Sequence, residues 1–479
     1  MQDYTLIIHG WSDCSNSFEL LKTFLQTQGV GNVETILYVD YESREDSLTF
    51  NDIVDGFYEQ LKQRQLIDET GKKLCNLNMV VHSTGGLVVR HWIWRYYRDR
   101  PSDCPLKRLI MLAPANFGSP LAHRGKSFLG RLVKGRWKVG DFLEIGKRLL
   151  DGLELASLYQ WELAHRDLLV DSPYFNTNQI QLTILVGIDD YSGIMGWVNK
   201  PGTDGAVVIA GTPINSIKIA LDFSQKDYGD PIIFDWKESH PPDEFAFGVL
   251  KGLNHGSIID ATFEPGHIAS QTVLRALKTQ TEQDFRELQN TLTVETELTY
   301  DDSPDQSKYQ QFILHAIDDQ NADVVDYTLE FAISRSDTNR FLPKRLWPKD
   351  EQDLSQDIHD LIASEFHTYS RNASYRRFLV NISELKPFLK MAKERLNADI
   401  KISVEIYIPQ IEDGIRYDTR NLTNVIVFDS SQKTPNLPDF FYENTTTLVE
   451  LRVNRFNQYV TVDSQSKRQR TSARKDDDR

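Results

Sequence analysis

The chain has 479 residues, more than one hydrophobic core usually encloses, and at about 100–200 residues per domain it divides into two or three units. Hydrophobic residues make up 40%, charged residues 26% and aromatics 11%, a globular balance that excludes a disordered or fibrous chain. The net charge of -15 argues against general nucleic-acid binding, which draws its strength from basic phosphate contacts.

In chain order, Tyr4–Ile8, Val33–Val39, Leu77–Val81, Leu109–Leu112, Leu182–Val186 and Phe245–Leu250 read as short apolar strands. Helical patterns such as Asn51–Gln63 and Gly86–Tyr97 lie between them. Alternation of this kind predicts an α/β architecture, a parallel sheet with helices on both faces. Between Ala122 and about Val170 strand signals stop and only helical periodicity continues. From about residue 290 the texture changes. Tyr327–Ile333, Ile400–Ile408 and Val449–Val453 alternate apolar and polar residues strictly, the signature of half-buried and mostly antiparallel strands. A helix from Glu384 to about Asn397 interrupts them. The expected division is an α/β unit over 1–285 with a helical insertion at about 122–172, a β-rich sandwich-like unit over 286–463, and a charged tail over 464–479 with the composition of disorder.

No run of about 18 apolar residues is present, and no charged leader or apolar block precedes the first strand. Cys14, Cys75 and Cys104 are too few and too scattered for a disulfide framework or a zinc site. The expectation is a product made in a reducing compartment and cytoplasmic as synthesised, with non-classical export still compatible. Asp301, Asp302, Asp305, Asp318 and Asp319 are spaced like solvated loop carboxylates rather than calcium ligands.

The chemistry concentrates in four places. Val80-Val81-His82-Ser83-Thr84-Gly85-Gly86-Leu87 follows an apolar strand and opens a helix. A serine on so tight a turn has its hydroxyl pushed clear of the backbone, and small residues must flank it. The position two before the serine, commonly glycine, is Val81. His9-Gly10-Trp11 ends the first strand, where a backbone N–H of Trp11 could join that of Thr84 as an oxyanion hole. Thr203-Asp204-Gly205-Ala206-Val207-Val208 offers an acid in a glycine-bearing loop after a late strand, with Asp189 and Asp190 as runners-up. Asn254-His255-Gly256 places a histidine just past the last strand, with His267 as the weaker choice. The order Ser, Asp, His is that of the α/β-hydrolase arrangement.

Residues 1 to about 280 thus resemble an α/β hydrolase of the lipase and esterase branch, near the bacterial lipases. The His9-Gly10-Trp11 turn, the His82-Ser83-Thr84-Gly85-Gly86 elbow and the Pro114-Ala115-Asn116-Phe117-Gly118-Ser119-Pro120-Leu121-Ala122 stretch carry the resemblance, together with Asp204-Gly205 and Asn254-His255. It implies a serine carboxylic-ester hydrolase acting on an acyl-ester or lipid substrate. His255, oriented by Asp204, would take the proton of Ser83, the oxyanion would rest on Trp11 and Thr84, and an acyl-serine would form without metal or organic cofactor. A thioesterase, amidase or acyltransferase would use the same triad, and a binding protein on an inactive hydrolase fold is the reading from another class. The β-rich half is not placed in any family.

The segment after Ala122 occupies the position of a lipase lid. Between Leu121 and Leu150, Arg124, Lys126, Arg131, Lys134, Arg136, Lys138, Lys147 and Arg148 are opposed only by Asp141 and Glu144. Phe128, Leu129, Leu132 and Val133 fall on one face at helical spacing. A basic amphipathic segment suits an anionic membrane surface, and equally a cap helix whose apolar face covers the site.

Overall fold

The computed structural model describes residues 3–8, 15–36, 47–122, 147–171, 174–191, 200–223, 232–238, 244–338, 344–409, 415–419, 422–423, 425–431 and 440–455. The His9-Gly10-Trp11 turn, the basic stretch from Arg124 to Lys138 and the 464–479 tail lie outside these residues.

Strands β1 (Asp3–Ile8), β2 (Asn32–Ile36), β3 (Asn76–His82), β4 (Leu106–Leu112) and β5 (Gln181–Gly187) are followed by β6 (Ile217–Asp222), β7 (Ile232–Glu238) and β8 (Ala246–Leu250). Six of them form one sheet in the order β2-β1-β3-β4-β5-β8, every pairing parallel. The continuous apolar runs of its central strands fit this position, because helices cover both faces: Leu6, Ile7, Ile8, Met79, Val80, Val81, Ile184, Leu185 and Val186 are all 0% exposed. The strand order reverses between β1 and β3, and the crevice at such a switch point, beyond the carboxyl ends of the strands, is where open α/β sheets bind ligands. Ile8, the last residue of β1, is in register with Val81 of β3.

The second half supplies β9 (Tyr309–Asp318), β10 (Thr328–Arg335), β11 (Glu365–Thr368), β12 (Tyr375–Asn381), β13 (Ile400–Tyr407), β14 (Val425–Asp429) and β15 (Thr445–Val453). They build an antiparallel sheet β10-β13-β14 and a mixed sheet β11-β12-β9-β15-β6-β7. Phe312, Leu314, Phe331, Phe378, Ile402, Val404, Val449 and Leu451, drawn from both sheets, share one buried core. The β6–β7 hairpin falls within the residue span expected for the catalytic unit, yet β6 pairs in parallel with β15. The helix Glu282–Asp301 runs through residue 285 and packs on β8, where Gln289 Nε2 donates to the Phe245 carbonyl at 3.1 Å and the Val249 N–H donates to Thr296 Oγ1 at 3.0 Å.

Two sequence expectations need correction. The alternating β13 is not half-buried, since its polar residues Lys401, Ser403 and Glu405 are 6%, 3% and 9% exposed. Burial of the two charged residues is tolerated because they find partners: Lys401 Nζ donates to the Thr338 carbonyl at 2.7 Å, and Glu405 accepts from the Tyr407 hydroxyl. Asp318 is not a solvated loop carboxylate. It is 0% exposed, its Oδ1 accepts the Gln320 and Ala322 N–H groups at 2.9 Å each, and its Oδ2 accepts from Arg455.

Candidate active site

Ser83 directly follows β3 and has φ 52°, a left-handed backbone that costs a non-glycine residue about 1–2 kcal/mol. The surroundings hold it there. Its N–H donates to the Leu112 carbonyl at 3.0 Å, and its own carbonyl accepts from Gly86 and Ala115 at 3.2 Å each. Glycine suits position 86, because a Cβ there would crowd Pro114 Cβ at 3.0 Å. The departure at Val81 has a local explanation: a Cβ on Gly85 would sit 3.2 Å from Val81 Cβ, so the bare glycine makes room for the valine beneath the turn. The helix Gly85–Tyr97 begins just beyond, and its positive N-terminal end points toward the serine.

The loop after β5 brings in Asp204, which is 0% exposed. One carboxylate oxygen accepts the Ala206 and Val207 N–H groups at 3.0 and 2.8 Å. The other lies 2.9 Å from His255 Nδ1. The two loops are also joined through the backbone, the His255 N–H donating to the Asp204 carbonyl at 2.9 Å. A carboxylate only accepts, so Nδ1 carries the proton and the Nε2 lone pair faces Ser83 Oγ, 3.2 Å away. His255 is 2% exposed, so little water competes for these contacts.

Of the runners-up, Asp189 contributes its N–H to the Leu253 carbonyl at 2.9 Å, which anchors the histidine loop. Burial, reinforced by the charges of Asp189 and Asp204, pushes the Asp190 carboxyl above its usual range. His267 caps the helix Ile268–Lys278 by accepting the Ala269 N–H at 3.1 Å. Thr84 is buried at the head of the helix that follows Ser83; Trp11 is outside the described residues.

Sequence reasoning missed two supports. His82, 1% exposed, donates from Nε2 to the His255 carbonyl at 3.0 Å and so holds the histidine loop from below. Its place directly before the serine is the one signal that could have found it. Asn116, inside the Pro114–Ala122 stretch, donates to the Thr212 carbonyl at 2.7 Å and so ties that stretch to the acid loop. Among the described residues no group of three or more His, Cys, Asp or Glu is placed to hold a metal ion. None of the described helices is long and apolar enough to cross a membrane.

A parallel sheet with a strained serine after a central strand, and an aspartate and a histidine delivered in that order by later loops, defines the α/β-hydrolase fold. Across nearly its whole length the chain is similar to phospholipase PlaB from Legionella pneumophila, with a TM-score of 0.74, 24% identity and coverage of 96% of this chain and 97% of that one. The same phospholipase in complex with thio-NAD matches at a TM-score of 0.74 and 23% identity, again over 96% and 97%. A metagenomic carboxyl esterase matches at a TM-score of 0.30 and 16% identity, over 44% of this chain and 60% of its own. No protein-family model and no curated protein matches the sequence.

Proposed function

We propose that the protein is a serine hydrolase of carboxylic esters, with lipids or other acyl esters as substrates. The observation that carries the reading is the chain of contacts from Asp204 Oδ2 through His255 Nδ1 and Nε2 to Ser83 Oγ, at 2.9 and 3.2 Å. In this reading Ser83 attacks the ester carbonyl as His255 takes its proton, and Asp204 stabilises the resulting imidazolium. The oxyanion is met by the N–H of Thr84 and a second donor from the turn after β1, for which Trp11 is the candidate. The leaving alcohol takes the proton back from His255. Water, deprotonated by His255, then releases the acid from the acyl-serine.

The likeness of the whole chain to a phospholipase supports a lipid ester as the substrate class. The basic stretch from Arg124 to Lys138 supports docking on an anionic lipid surface. The catalytic unit in this reading spans about 1–285 and lends its β6–β7 hairpin to the β-rich unit over 286–463. The test is covalent labelling of Ser83 by a fluorophosphonate probe, together with a panel of short esters, thioesters, amides and phospholipid vesicles. Labelling with hydrolysis of the esters upholds the reading. Preference for thioesters or amides replaces it, and absence of labelling overturns it.

A further inference from the structure

The acid loop has two faces. One presents Asp204 to His255, and the other packs against the β-rich unit. The loop is stiff in itself, with the Ile209 N–H on the Gly202 carbonyl at 2.9 Å and a bridge between Thr203 and Val208. Its outer face meets β15, β12 and β9. Thr446 Oγ1 of β15 donates to the Ala210 carbonyl at 2.9 Å. Val208 and Ala210 join Leu379 of β12 and Leu155 in a small buried cluster, with Tyr309 of β9 against it. Gly202 lies so close under the Tyr309 ring that a Cβ there would be 2.5 Å from it.

A second arm reaches the same loop from the other side. Ser119 Oγ donates to the Ala206 carbonyl at 2.6 Å, two residues from Asp204, and the Ser119 N–H is held by the Leu153 carbonyl at 2.9 Å. The next residue, Glu154, is 3% exposed, and its carboxylate accepts from His367 Nε2 at 3.0 Å, the Ser370 N–H at 2.9 Å and Ser370 Oγ at 2.5 Å. His367 lies on β11, and Ser370 in the turn between β11 and β12. Burial raises the Glu154 carboxyl, but the hydrogen bonds from His367 and Ser370 outweigh it and keep the group below the usual glutamate range. The anchor is therefore ionised at neutral pH.

We propose that the β-rich unit is the brace that sets Asp204 against His255, with Thr446 and Glu154 as positioning residues that act through the acid loop. The inference rests on the ester-hydrolase reading for its effect on rate, but not for its effect on geometry. A carboxylate shifted by about 1 Å no longer aligns the imidazole, and displacements of that size cost on the order of 100-fold in rate. Loss of a single hydroxyl from the brace should cost less, because the second arm remains.

The experiment uses the full chain and four variants: Thr446→Val, Ser370→Ala, Glu154→Gln and, as control, Arg371→Ala. The control removes a more exposed ion pair to Asp151 that crosses between the same units without touching the acid loop. Fluorophosphonate labelling of Ser83 and kcat on a soluble ester should fall about 10-fold in Thr446→Val, with KM within about twofold, while Arg371→Ala stays at the wild-type rate. A merely structural role would lower thermal stability in both and spare the labelling rate. The far-downfield proton resonance of His255 Nδ1–H reads the same contact without any turnover. It should broaden or vanish in Thr446→Val and persist in Arg371→Ala. Folded Thr446→Val and Ser370→Ala proteins with wild-type labelling and an unchanged resonance overturn the brace. A wild type that takes no label but whose resonance responds to Thr446→Val overturns the hydrolase reading and leaves the brace standing.

Discussion

Arg90 and Asp167 form a bidentate ion pair in the interior, Nε and Nη2 donating to the two carboxylate oxygens at 2.7 and 2.9 Å with side chains 0% and 1% exposed. The pair joins the helix that follows Ser83 to the helix Leu158–Asp167, and Arg90 Nη1 reaches on to the Asn116 carbonyl at 3.2 Å. Removing one partner strands the other charge away from water. Arg90→Met should therefore destabilise the protein by about 3–5 kcal/mol, and Arg90→Met with Asp167→Leu should recover most of that loss. Denaturant unfolding of the two variants decides it: a double variant no more stable than the single one refutes the explanation.

Ser83→Ala should abolish ester hydrolysis by a factor on the order of 10³ or more while the fold persists. Stability should change little, since alanine carries the same strained φ and only the contact to His255 Nε2 is lost. Circular dichroism and an ester assay on one preparation test both parts. Hydrolysis within tenfold of wild type would reassign the nucleophile.

Asp204→Asn keeps the shape of the acid but presents a neutral amide to His255 Nδ1. The imidazole then loses the partner that fixes its tautomer, and kcat should drop by a factor on the order of 10⁴. The same change at Asp189 should leave kcat within a few-fold, because its contact to the histidine loop is through its backbone N–H. A larger effect at Asp189 than at Asp204 would reverse the assignment.

His91 lies on the helix after Ser83, its Nδ1 3.0 Å from the Tyr159 hydroxyl. Burial, with the charges of Arg95 and Arg166 adding to it, lowers its pKa from 6.5 to about 4. Between these values the unfolded chain takes up a proton that the native state refuses. Stability therefore falls as pH drops through that window, by about 3 kcal/mol in full. His91→Gln, which still reaches the hydroxyl, should flatten the dependence. The comparison is unfolding free energy at pH 7 and pH 5 for both proteins; equal slopes would exclude His91 as a source.

Reversing Arg131, Lys134 and Lys138 to glutamate should weaken binding to anionic vesicles strongly, at about 1 kcal/mol per basic residue near the surface, and the wild-type binding should fade with salt. Hydrolysis of a small soluble ester should change little. Vesicle binding indifferent to the reversal would leave the segment as an ordinary cap.

How much of this was legible in the sequence depends on how local each signal is. Ser83, Asp204 and His255 each stand beside a glycine in a turn or loop, so local patterns put them first among the candidates, with Asp189, Asp190 and His267 left as alternatives that only the contacts of the fold separate. The unbroken apolar runs of β3 and β5 likewise announce a parallel sheet covered on both faces. Partner choice is not local. Nothing in Ile217–Asp222 says that it pairs with Thr445–Val453 rather than with the strands beside it in the chain. Nothing beside Glu154 in the chain points to its partners His367 and Ser370, which arrive from some 210 residues further on. The polar face of β13 was expected in water for the same reason, because alternation reports which residues differ and not what covers them.

The order of the mixed sheet also sets a timetable for synthesis. β15 is the last strand described, yet it lies between β9 and β6 and pairs in parallel with both. Until residue 453 has left the ribosome, the β6–β7 hairpin and the β9–β12 pair have edges and no bridge, so the two halves cannot close on each other by nearest-neighbour pairing. The parallel sheet can form earlier, with Ser83 already on its turn. The hydrogen bond from Thr446 to the Ala210 carbonyl comes only at this last step, so the nascent chain can place Ser83 on its turn well before the outer wall of the acid loop is complete.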